Sequence, residues 1–427
     1  MYYFKISSRS LLSKWRQYIS LFLVSMVGVA ISLFLMFVVD GMLSAMATKA
    51  KIYYGGDMQV MGGIQEVEYV NSSEYLEKVK SVLPKNAVVT KRISKRAEYS
   101  YLSYEGTEAR FRQIIGIDFE KEQPLFEKFN FVEGSSKELS GKYDILLSEP
   151  IAKSLSVHAG DQITFVVNKI GRGIDTIPFV VKGIFRDSSI FGMYTVYFSI
   201  DYAADYVEKG ADYANRICVY FPDGSYSAKK LPKYHQVLSS VLNMFPLVKD
   251  KENFYKAQKA GFTEETHCLV SIESSMEELQ IVIDAMNWVS MLIICVLIVI
   301  IIVGVSSTYR VLVLKRINEI GIYKAIGMNR FNVYRILLSE ACCLMVCGCI
   351  AGFALSLVFC GIIRCINLSF IPAFDVFLEN GVIAPRLEFS NVAVILAFVF
   401  VTTLGAVVLS IRKAVEITPV QALSTTE

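Results

Sequence analysis

Apolar residues gather in four long runs, separated by segments of quite different patterning. The first run covers residues 19–39 without a charge, and the second covers 289–305 behind a mixed segment, 281–288. The third and fourth cover 341–363 and 392–411. A helix needs about 20 apolar residues to cross a hydrocarbon layer about 30 Å thick, so each run predicts a transmembrane helix. The region between the first two runs is polar and alternates short periods. Strands are expected at 57–61, 87–90, 111–117, 144–147, 162–167, 179–185 and 194–199, where β-branched and aromatic residues cluster. Helices are expected from Ser72 to Leu83, closed by Pro84 and Asn86, and over 148–155 and 201–207. This is a mixed α+β domain, with lobe boundaries placed near 105 and 220. At its two ends, 40–50 and 274–284 extend the helical pattern beyond the apolar runs. Continuous helices there would make two stalks; the alternative is simple connecting turns.

Charge orients the runs. Lys5, Arg9, Lys14 and Arg16 precede the first, and Arg412 and Lys413 close the fourth. The segment between the second and third carries Arg310, Lys315, Arg316, Lys324, Arg330 and Arg335 against Glu319 and Glu340. Between the third and fourth, Arg364 and Arg386 face Asp375, Glu379 and Glu388. Short basic loops stay on the cytoplasmic side, so both termini are expected inside and the large domain outside. The first run, 21 residues long, exceeds the 7–15 of a signal peptide's apolar core, so it reads as an anchor despite the small-residue triplet Ala45-Met46-Ala47.

The expected organisation is therefore an amphipathic N-terminal segment (1–18), first span and stalk (19–50), and extracytoplasmic α+β domain (51–275). Next come a stalk and second span (276–305), a cytoplasmic loop (306–340), third span (341–363) and outer loop (364–391). The fourth span (392–411) and a cytoplasmic tail (412–427) complete the chain. Composition agrees with a bilayer protein: 53% of residues are hydrophobic and 19% charged, and a net charge of +3 gives no reason to expect nucleic acid. Cys342, Cys343, Cys347 and Cys349 form a cluster without a histidine, which suits helix packing better than metal ligation. Cys218 and Cys268 fall in the outer domain, where a disulfide is permitted, and their spacing leaves the pairing open. His158, His235 and His267 all fall in that domain too, away from the spans.

The loop at 310–340 is patterned beyond what a linker requires. Ile317, Ile320 and Ile326, with Leu314 and Tyr323, recur at three- and four-residue spacing, while Lys315, Arg316, Glu319 and Lys324 fill the other positions. Gly327 supplies a helix stop, and a new helix is expected from about Phe331. Such a short amphipathic helix either floats in the lipid interface or fits a groove in a partner. In the spans, Gly28-xxx-Ser32 and Gly348-xxx-Gly352 allow close helix packing, and Glu340 is expected to face protein or headgroups rather than lipid.

The run Arg316-Ile317-Asn318-Glu319-Ile320-Gly321-Ile322-Tyr323-Lys324-Ala325-Ile326-Gly327 resembles the signature of the FtsX-like permeases, the membrane subunits of a group of ABC systems. The resemblance extends to the basic opening Ser8-Arg9 through Lys14 and Arg16, and to Gly55-Gly56-Asp57 with Gln59-Val60, which is similar to the lipoprotein-releasing branch. Gly160-Asp161 with Ile163, Val181 with Gly183 and Phe185, and the tail Ile417 through Pro419 to Ala422-Leu423 also resemble the family. The resemblance implies a polytopic helical protein of four spans, a coupling helix, and a separate ATPase into which that helix docks. Arg316, Glu319, Ile320, Gly321, Lys324, Ala325 and Gly327 are the residues it singles out. No G-x-x-x-x-G-K-[ST] loop occurs in the chain, so ATP and Mg are expected on the partner, with no cofactor and no catalytic residue here. The resemblance further implies a second permease subunit, like or unlike, and a place in the cytoplasmic (inner) membrane. The cargo it implies is a lipoprotein, or a lipophilic molecule or peptide, with a periplasmic carrier as a further partner. Macrolide or peptide efflux and FtsX-like control of cell-wall hydrolases are the alternatives it allows. The turn at 168–177 is short where one lipoprotein-releasing subunit carries a protruding hairpin, which points to the other subunit or to a different cargo.

Overall fold

The computed structural model describes residues 15–415 apart from 99, 170–172, 188, 190, 193, 248–250 and 276. The basic residues before Trp15, the tail after residue 415 and the tip of the 168–177 turn thus lie outside the described residues. The chain forms two compact units.

The first unit comprises Met1–Met42, Ile283–Asn367 and Val382–Glu427. It draws on four long helices, Trp15–Tyr54, Glu277–Lys315, Arg330–Arg364 and Phe389–Val415, each long and apolar enough to cross a membrane. Buried Leu21, Val29, Leu33 and Phe37 of the first helix meet Ile301 and Val305 of the second, Ala341 and Leu344 of the third, and Val399 and Val407 of the fourth in one core. Trp288, Leu292, Val299, Ile300 and Val303 of the second helix are exposed; a bilayer supplies the apolar surroundings that water cannot. Small residues set the helix approaches. A Cβ on Gly28 would lie 2.3 Å from Ile301 of the second helix, and one on Gly348 would lie 2.2 Å from Ser25 Oγ. At Gly352 the obstacle is backbone, with Met26 O at 2.7 Å. Ser32 is fully buried and donates to Gly28 O within its own helix, at 2.9 Å.

The second unit, Leu43–Val282 with Leu368–Gly381, is built on a 12-stranded sheet. In chain order the strands are β1 (Met58–Gly63), β2 (Val88–Arg96), β3 (Ser100–Tyr104), β4 (Thr107–Ala109), β5 (Gln113–Ile117) and β6 (Phe131–Gly134). They continue with β7 (Asp144–Ser148), β8 (Gln162–Lys169), β9 (Gly173–Phe185), β10 (Thr195–Ser199), β11 (Arg216–Tyr220) and β12 (Thr266–Ser271). Their order across the sheet is β12-β1-β11-β2-β5-β10-β7-β9-β8-β3-β4, with β6 on β9.

Strand β2 belongs to both lobes. Its first half, Val88 to Arg92, pairs with β11, and its second half, Ile93 to Arg96, pairs with β5. The expected boundary near 105 is therefore corrected, while the chain returns to the first lobe at β11, close to the expected 220. Position 105 is the tip of the β3–β4 turn, where Glu105 and Gly106 take positive φ, and the true division runs through a strand that no local signal interrupts. Strands β3, β4, β6, β11 and β12 were not expected from the pattern: β4 and β6 are only three and four residues long, and Ser, Thr, Cys, His or Arg interrupt the apolar positions of the other three. The β8–β9 ladder reaches Lys169↔Gly173, so the turn between them is short. Cys218 and Cys268 are both buried free thiols, so no disulfide joins them. They sit opposite Gln59 and Met61, on the two flanks of β1.

The first helix is uninterrupted to Tyr54, and its end is held by the sheet. Gly55 and Gly56 have φ of +87° and +136°, which turns the chain out of the helix as only glycine does at little cost. Gly55 also leaves the space that Arg92 and Cys218 fill. The Arg92 guanidinium donates to Ile52 O at 3.0 Å and Tyr53 O at 2.9 Å, satisfying carbonyls that the helix end would otherwise leave bare. Glu122, buried beside it, accepts from Arg92 Nε at 2.9 Å and balances its charge.

Candidate functional site

The segment between the second and third long helices folds as the residue pattern suggests, with one reversal. The second helix runs on to Lys315, a short helix spans Ile317–Ala325, and the third begins at Arg330. Gly327 takes φ +91°, and Met328 N donates to Tyr323 O at 3.0 Å, closing the short helix. Asn329 caps the next helix by accepting from Phe331 N.

The reversal concerns Arg316. By spacing it belongs to the polar flank; in the structure it is only 4% exposed. Its Nη1 donates to Glu340 Oε2 at 2.5 Å and to the Tyr18 hydroxyl at 2.5 Å, and its Nε donates to Glu319 Oε2 at 3.0 Å. The Tyr18 hydroxyl donates in turn to Glu340 Oε2 at 3.0 Å. Nearby, the Tyr309 hydroxyl donates to Leu337 O at 2.8 Å, tying the second helix to the third. Tyr18 belongs to the first helix, Glu319 to the short helix and Glu340 to the third, so one guanidinium fastens three helices at the point where the second ends. Burial works against the Arg316 charge, but Glu340, Tyr18 and Glu319 together outweigh it and push the guanidinium pKa up.

The other residues singled out by the sequence divide by face. Ile320 and Gly321 are buried against the bundle, while Glu319 and Lys324 are half-buried. Burial, helped by the nearby Arg330 charge, lowers the Lys324 ammonium pKa. Ala325 and Gly327 are exposed, as is Ile326 at 78%, which pattern alone makes an anchor. Ile322 at 51% joins it, so Asn318, Ile322 and Ala325 line one outward face at helical spacing, with Ile326 beside them. The inward face thus holds the helix, and the outward face offers apolar surface with Lys315 and Arg330 exposed at either end.

Tyr18 and Tyr309 have no motif to announce them. The available signal was Glu340 itself, a carboxylate at the start of an apolar run, which must find a cation if it is buried. Its full burial makes Arg316 that cation.

Residues 291–419 match the FtsX-like permease C-terminal domain, and residues 22–229 match the MacB-like periplasmic core domain. A comparison with curated proteins gave no match. The first region contains the short helix and the third and fourth spans; the second begins in the first span and covers most of the sheet domain. Permeases of this kind are membrane transport components, not enzymes, and work with an ABC ATPase partner. With four spanning helices and an extracytoplasmic sheet domain between the first two, the chain is an FtsX/MacB-type ABC-transporter permease.

Proposed function

We propose that this permease converts ATP hydrolysis on its partner into movement of its outer domain, and so extracts or releases lipoproteins from the outer leaflet of the cytoplasmic (inner) membrane. The observation that carries the reading is the fastened short helix: it is tied through Arg316 to the first and third helices, and its outer face presents Ile322, Ala325 and Ile326. A helix held this way transmits a push instead of absorbing it. Its outward apolar residues fit a groove in an ATPase, and the basic segment around it lies on the cytoplasmic side. Two permease chains, alike or related, pair around two ATPase subunits, and ATP and Mg are bound there. The likeness of residues 55–60 to the lipoprotein-releasing branch favours lipoprotein as cargo. The MacB-like domain match favours a second reading, efflux of a macrolide or peptide.

The test is reconstitution with the partner ATPase. Ile322→Asp and Ile326→Asp, at exposed positions, are expected to lower coupled ATPase activity at least tenfold while leaving the melting temperature of the permease unchanged. Normal coupling in both variants would remove the docking role. Cargo is decided by what co-purifies: lipid-modified proteins support release, while a cell-wall hydrolase would point to a signalling role.

A further inference from the structure

We infer that the outer domain contains an anion site for a phosphate-bearing group, built on the sheet face where its two lobes meet. The pleat of β2 puts Arg92, Ser94 and Arg96 on one face. Arg216 of β11 lies directly opposite Arg92, and Gln113 of β5 lies opposite Arg96 and beside Thr195 of β10. Arg112 stands just before β5. These residues line a cavity of about 430 Å³, whose other walls include Tyr53, Tyr54 and Phe191.

Among the described residues, four arginines line this cavity and no carboxylate does. Like charges facing each other across a ladder are unfavourable, so the arrangement calls for a counter-charge. Arg92 has one in Glu122, behind the cavity wall. Arg216 has a neutral partner, donating to Gln59 Oε1 at 2.8 Å. Arg96 and Arg112 are exposed and make no ion pair among the described residues. Asp187, near Tyr53, is already engaged by Lys49 and the Tyr53 hydroxyl. The cavity therefore holds unbalanced positive charge from planar, fork-shaped donors, which match the oxygens of a phosphate. Its volume exceeds that of bare phosphate, and the aromatic walls suit an organic substituent. The ligand is accordingly a phosphate ester, supplied as a soluble metabolite or as a lipid headgroup.

The site rests on the sheet domain alone and does not depend on the coupling role of the short helix. The experiment uses the full chain in uncharged detergent, titrated calorimetrically at constant ionic strength with glycerol 3-phosphate, with short-chain phosphatidylglycerol and with acetate. Both phosphate compounds are expected to bind at one saturable site, and acetate at least about tenfold more weakly. Tighter binding of the lipid assigns the headgroup source, and equal binding assigns the soluble ester. In Arg96→Gln/Arg112→Gln, whose exposed positions leave the fold intact by melting curve, affinity is expected to fall about 100-fold, as for two lost charge-assisted contacts. Arg112→Lys retains charge without the fork and is expected to recover only part. Absence of saturable binding, equal binding of acetate, or an unchanged affinity in the double variant would overturn the inference.

Discussion

Arg316 and Glu340 form a buried pair whose members cannot be removed singly without leaving the other uncompensated. Arg316→Met leaves Glu340 fully buried without its cation, and the expected loss is about 3–5 kcal/mol. Arg316→Met/Glu340→Leu exchanges the pair for apolar groups and is expected to regain most of that loss. Thermal melting of the purified permease checks both, and a double variant as unstable as the single one would show the fastening acts by shape alone. His267 makes a second residue-scale prediction. It is buried beside Tyr69, whose hydroxyl lies 3.3 Å from Nδ1, and burial lowers its pKa below the usual 6.5. The unfolded chain therefore binds a proton at higher pH than the folded one, so stability is unaffected above about pH 6.5 and falls as pH drops below it. Melting curves at pH 7.5 and 5.5 should show this fall, and His267→Gln should reduce it. Burial likewise pushes the Cys218 and Cys268 thiols up to about 12, so both should resist maleimide at neutral pH until the protein is unfolded.

Helix contacts and helix ends carry the element-scale predictions. Gly352 faces backbone of the first helix, so Gly352→Val must part the two helices, at a cost of about 1–3 kcal/mol. Gly361, with nothing within 4 Å of its Cβ position, is the control on the same helix, and Gly361→Val should melt like the native protein. Gly327→Ala meets no neighbour but must keep φ near +91°, which costs an L-residue about 1–2 kcal/mol. Because the strain falls on the short helix's closure, ATPase coupling should weaken alongside a small drop in melting temperature. The apolar runs, Gly327 and the Gly-xxx-Gly pair were all legible in the sequence, since each is a local pattern. The inward turn of Arg316 was not, because spacing reports a periodicity and not which side of it the rest of the bundle will cover.

For the molecule as a whole, the orientation read from basic loops gives a direct test. A single cysteine in place of Lys324, in an otherwise cysteine-free chain, should react with a membrane-impermeant maleimide only from the cytoplasmic side, and one replacing exposed Lys229 in the outer domain only from the other. Reaction of the Lys324 position from outside would invert the topology and end the coupling proposal. The two ends of the first helix also illustrate a shared device. Near its start Tyr18 is held by Arg316, and at its finish Ile52 and Tyr53 are held by Arg92. In each case a buried arginine balanced by a buried glutamate makes the connection.

The four spans, the presence of a mixed domain between the first two, and the short helix with its glycine stop followed from sequence alone, because hydrophobic length, alternation and turn chemistry act over neighbouring residues. Only tertiary structure decided that β2 serves two lobes, that Cys218 and Cys268 stay apart across β1, and that Arg92, Arg96, Arg112 and Arg216 converge on one cavity. Those outcomes depend on strand order and on partners far away in the chain. Arg216 and Arg92, or Arg316 and Tyr18, become neighbours through packing, and no local periodicity encodes which distant segment will arrive.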